Sequence, residues 1–145
     1  MAHAERSVTI AAPIETVFAF FADGTNNPKW RSGVLDIART GDEAGVGATY
    51  RQGLKGPGGK RIAGDYRITT LDAPNRLAFE VTAGPARPTG TFELSSEPGS
   101  GATTVRFALD VHPTGAARLM GPMISKTMKD EVASLDKAKE VLEQA

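Results

Sequence analysis

A chain of 145 residues, 40% hydrophobic and 23% charged, fits one globular domain over residues 1–145 and is long enough to bury a core. Seventeen basic residues balance seventeen acidic ones, so no net charge draws a nucleic acid or an anionic membrane surface as partner. Cysteine is absent and there are only two histidines, which excludes disulfides and thiol nucleophiles and leaves too few soft ligands for a metal centre.

Residues 1–6 carry no apolar run, so no signal peptide is expected. No stretch approaches the roughly 20 apolar residues of a membrane span, and a cytoplasmic location follows as the expectation. Residues 5–10 alternate, with Val8 and Ile10 on one face, and predict a first strand. Pro13 suits the first turn of a helix over 14–22, with Ile14, Val17, Phe18 and Phe21 on one side. Residues 23–28 break it, and a second short helix is predicted from Pro28 through Trp30 to Ser32.

From Val34 the period changes to two. Leu35 and Ile37 face inward in a second strand, and Ala48, Tyr50, Gln52 and Leu54 share a face of a third. A glycine-rich tip over 53–60 leads to a fourth strand over 61–71, with Ile62, Gly64, Tyr66 and Ile68 on one face. Leu77, Phe79 and Val81 mark the fifth, Phe92 and Leu94 the sixth, and Val105, Phe107, Leu109 and Val111 the seventh. Residues 116–145 then form one long helix of roughly 40 Å. Its apolar stripe runs through Leu119, Met123, Ile124, Met128, Val132, Leu135, Ala138 and Leu142. Six consecutive strands joined by short turns make an antiparallel meander, and a helix with one long apolar face needs such a sheet to lie on.

This order resembles the START-like, helix-grip superfamily, which includes the polyketide cyclase/dehydrase group. The resemblance covers nearly the whole chain. It rests on the opening strand with Ala11-Ala12-Pro13-Ile14-Glu15-Thr16-Val17-Phe18, on Asn27-Pro28-Lys29-Trp30, on the run YRITTLDAPNRLAF from Tyr66 to Phe79, and on the terminal helix. It implies an α+β helix-grip fold: a curved seven-stranded antiparallel sheet, with two short helices after strand 1, wrapped around a long C-terminal helix. It also implies a cavity between sheet and helix for an apolar or amphipathic ligand. Carriers, aromatase/cyclases and dehydratases share that fold, so fold alone does not choose among them.

Alternation then names the candidate ligand-binding residues: Tyr50, Gln52, Tyr66, Phe79, Phe92 and Phe107 from the strands, Met120 and Met123 from the helix, and Trp30 near the mouth. Each apolar one also reads as packed core. Tyr50, Gln52 and Tyr66 are the informative members, because a polar group on an inward face needs a partner. That partner is a ligand, a water, the helix backbone or one of the other two. A register one residue off would turn Arg51, Asp65 and Arg67 inward instead. His112 falls opposite in phase to Phe107 and Leu109 and is expected at the surface.

No catalytic motif is recognisable. The glycines before Lys60 miss the phosphate-loop spacing, and no serine stands in a Gly-x-Ser-x-Gly elbow. No cofactor and no metal are expected, and a homodimer is left open. Two readings remain. The first is a module that binds a small hydrophobic or aromatic molecule, as carrier, sensor or store. The alternative is a cyclase/dehydrase-type enzyme that uses pocket tyrosines or a water held by Gln52. Residues 115–124, with Gly121 and Pro122, are expected to form part of the entrance.

Overall fold

Alternating apolar residues become strands β1 (Ala2–Ile10), β2 (Val34–Thr40), β3 (Thr49–Lys55), β4 (Arg61–Ala63), β5 (Tyr66–Asp72), β6 (Arg76–Val81), β7 (Thr89–Ser96) and β8 (Thr103–Val111). The 3.6-residue stripes become helices α1 (Ile14–Ala22), α2 (Asn27–Trp30), α3 (Gly121–Ala133) and α4 (Leu135–Glu143). These elements belong to a computed structural model that describes residues 2–41, 45–84, 86–112 and 121–144. Every strand pairing is antiparallel, in the order β1-β8-β7-β6-β5-β3-β2, and β4 pairs with β3 off that path. Among the described residues no helix is long and apolar enough to cross a membrane.

Three expectations are corrected. The strand expected over 61–71 is two strands, which makes eight rather than seven. At the break, Gly64 N–H donates to the Gln52 carbonyl and the Asp65 carboxylate accepts from Gln52 N–H. A Cβ on Gly64 would stand 2.6 Å from Leu54 Cδ1, so the chain can turn there only without a side chain. In β2, the register shifts between Val34 and Asp36, and this bulge reverses the alternation. Val34 is therefore buried, and Leu35, expected inside, is 48% exposed. The terminal helix is divided at Ser134, whose hydroxyl bonds back to the Asp130 carbonyl at 3.2 Å, a contact that bends helices.

The stripe through Ile124, Met128, Val132, Leu135, Ala138 and Leu142 is buried as expected. Met123 is not part of it. It lies about 100° round the helix from Ile124, and it is 49% exposed. Leu119 and Met120 lie outside the described residues, as does most of the expected entrance. Helices α3 and α4 pack on β1, and α2 packs on α4. Arg6 pairs with Asp136 at 2.6 Å, Lys139 donates to the Thr9 carbonyl at 2.8 Å, and Glu143 accepts from Ala11 N–H at 2.8 Å. Arg31 pairs with Glu131 at 2.6 Å and ties α2 to α3.

The outer sheet face carries cross-strand ion pairs, among them Arg67–Glu80 and Arg106 with Glu5 and Glu93. His3 joins this array, with Nδ1 2.6 Å from Asp110 and Nε2 3.1 Å from Glu5. The bond to Asp110, then that to Glu5, holds the imidazole above its ordinary 6.5. A group raised on folding stabilises below its unfolded pKa and loses that contribution as pH rises through the folded one. An NMR titration should give a His3 midpoint above 6.5, and Asp110→Asn should lower it; an unshifted midpoint in the wild type would refute the bond.

Candidate functional site

The centre of the sheet's inner face is a cluster of rings. Phe92 and Phe107 are direct partners across β7 and β8, and their rings stack at 4.4 Å and 5°. Phe21 of α1 stacks on Phe92 at 4.7 Å. Trp30 of α2 stands edge-on to Phe21 at 5.4 Å and to Phe107 at 5.8 Å. Phe79 completes the cluster by lying over Gly90, its partner on β7, where a Cβ would meet the ring at 2.2 Å. These residues fill one another's space. Trp30, expected near the mouth, is 3% exposed, and its indole Nε1 has no hydrogen-bond partner.

Beside the rings lies a buried polar cluster. Asn27 Nδ2 donates to Gln52 Oε1 at 3.0 Å and to Tyr66 Oη at 3.1 Å. Gln52 Nε2 donates to the Gly64 carbonyl at 3.2 Å, so both ends of its amide are satisfied. Tyr50 stacks on Tyr66 at 5.0 Å and 18°. The three inward polar residues expected from alternation therefore come together, and the register holds: Arg51 and Arg67 are exposed and Asp65 is half-buried. Burial, only partly offset by the Asn27 bond, holds the Tyr66 phenol well above its ordinary 10. It stays a neutral hydrogen-bonding group at physiological pH.

Asn27, which organises this cluster, escaped the sequence reading because it sits in the break before Pro28, where no periodicity marks a face. The signal was indirect: Gln52 and Tyr66 on a buried face require a polar partner from some other element. Gly24 makes the approach possible. A Cβ there would stand 2.1 Å from Tyr66 Oη and 2.9 Å from Tyr50 Cε1.

Tyr50 is also the link to open space. A cleft of about 400 Å³ lies between the C-terminal half of α1 and the β3–β5 part of the sheet. Its walls are Ala19, Ala22, Ala48, Ile68, Leu71, Gly45 and Tyr50, with Asp23 and Arg39 as the two charged residues. Of the nine residues expected to bind a ligand, Tyr50 alone lines it. Trp30, Phe79, Phe92 and Phe107 are in the ring cluster, Gln52 and Tyr66 stand behind Tyr50, Met123 is on the surface, and Met120 lies outside the described residues. The alanines that make the room carry no chemical signal of their own, and only packing reveals them.

The family described as polyketide cyclase / dehydrase and lipid transport matches residues 1–143. No curated protein matches the chain. Among solved structures, it resembles a START superfamily protein from Mycobacterium smegmatis, with 16% identity, 99% of each chain covered and a TM-score of 0.79. A protein from Thermus thermophilus shares 23% identity over 95% of this chain and 94% of its own, with a TM-score of 0.78. The Zhui aromatase/cyclase from a Streptomyces species shares 18% over 98% and 93%, with a TM-score of 0.77. At such identities the structural likeness speaks for the fold, and the family match over nearly the full length speaks for descent: the chain belongs to the polyketide cyclase/dehydrase and lipid transport family, on a START-like helix-grip fold.

Proposed function

We propose that the protein holds a small hydrophobic or aromatic molecule in the cleft beside Tyr50, as a carrier, sensor or store. The carrying observation is the cleft itself, a space of about 400 Å³ with mainly apolar walls. That is the size and character of small-molecule sites, which run from about 300 to 1,000 Å³. The family's lipid transport members and the aromatase/cyclase likeness agree with an apolar or flat aromatic occupant. One observation favours the cyclase reading, the convergence of Tyr50, Gln52 and Tyr66. General acid–base work needs a group whose pKa lies near the working pH. Tyr66 is shifted away from it, and Gln52 is bonded at both ends. Binding is therefore the better-supported reading.

The test is equilibrium dialysis of 2-ethylnaphthalene against the wild type and Ala22→Phe. Ala22 lines the cleft from α1, outside the ring cluster. The larger side chain should weaken binding roughly tenfold, about 1.4 kcal/mol, and leave the melting temperature nearly unchanged. Equal affinity in both proteins would place the ligand elsewhere and end this reading.

A further inference from the structure

Tyr50 is more than nine-tenths buried and lines the cleft, yet its hydroxyl makes no hydrogen bond with any described residue. Tyr66, stacked beside it, accepts from Asn27, and no described residue accepts the Tyr66 hydroxyl hydrogen in turn. A phenol both donates and accepts. What this pair lacks in common is an acceptor. Buried polar groups without partners are rare, and each one calls for an explanation. The remaining lining is apolar apart from Asp23 and Arg39, one charge of each sign, which favours a ligand without net charge. Asp23 does not serve Tyr50, because its Oδ1 is taken by the Thr25 N–H and hydroxyl.

We infer that the ligand of this cleft is a neutral apolar molecule with a hydrogen-bond acceptor oxygen, a ketone or ether, which the Tyr50 hydroxyl takes up. This rests on the cleft being the ligand site. Tyr50 is then the residue that selects among apolar ligands, since apolar walls alone discriminate weakly while a placed polar group discriminates strongly. The Tyr66 ring holds the Tyr50 ring in place, and Asn27 holds Tyr66.

The experiment compares 2-acetylnaphthalene with 2-ethylnaphthalene, the same skeleton with a carbonyl in place of a methylene, in the wild type and Tyr50→Phe. Equilibrium dialysis should show the ketone weakened about fivefold or more by Tyr50→Phe, as loss of one hydrogen bond requires. The hydrocarbon should change less than about twofold, since it has no acceptor to lose. Tyr50→Phe should also melt with the wild type, because no protein hydrogen bond is lost. An equal effect on both probes, or none on either, means that the hydroxyl meets only water and overturns the inference while the cleft stands. A destabilised Tyr50→Phe would reveal a protein partner and overturn it as well. If neither probe binds the wild type, the cleft reading itself falls and takes the inference with it.

Discussion

Phe107→Ala is expected to lose about 3–5 kcal/mol of folding stability, the usual cost of deleting a buried phenylalanine. Phe107 is 1% exposed, and its ring stacks on Phe92 at 4.4 Å and meets the edge of Trp30 at 5.8 Å. It thus joins β8, β7 and α2 at one point. The truncation removes apolar burial and leaves a hole whose walls come from three elements, so collapse around it is limited. In a domain of this size the melting temperature should fall by about 10 °C. Urea unfolding should show a lower midpoint with an unchanged slope, since a stability loss alone leaves the exposed surface the same. A loss under about 1 kcal/mol would mean that the ring cluster is not the centre of the core.

The second large effect is expected at Asn27→Ala, about 2–4 kcal/mol. The substitution removes two hydrogen bonds, at 3.0 and 3.1 Å, and leaves Gln52 Oε1 buried without a donor. An orphaned buried polar atom costs about 1–3 kcal/mol, more than the bond itself contributes, because water cannot replace the partner. Gln52 is 2% exposed, so that penalty should be felt in full. Adding Gln52→Leu should recover part of the loss, since the atom left unpaired is then gone. A double-mutant cycle by denaturant unfolding measures this coupling. Strictly additive losses would show that Asn27 and Gln52 act independently and would break the account of the cluster. Loss of the Asn27 bond should also drive the Tyr66 phenol further up, because that bond is what lowers it.

The same cluster separates what was legible from what was not. Alternation placed Tyr50, Gln52 and Tyr66 on one buried face, and they meet there. It did not supply Asn27, because a residue in a break between two short helices has no period to read. The aromatic residues Phe79, Phe92 and Phe107 were placed on the inner face correctly. Whether they line a space or fill it depended on how closely α1 and α2 stand to the sheet. With Phe21 4.7 Å from Phe92, they fill it, and the space lies instead against the small side chains Ala19, Ala22 and Ala48.

The element order, the antiparallel sheet, the buried stripe of the terminal helix and the family were all readable from the residues alone. These follow from which face each side chain takes, and the backbone period settles that locally. The bulge after Val34, the break at Gly64–Asp65, the bend at Ser134 and the position of the cleft emerged only when the chain was packed. Each is a compromise between segments far apart in the chain: the two strands whose lengths must match, the helix that must follow a curved sheet, and the side chains that must share one interior. No local period records such an agreement, because it is reached only when the distant partners meet.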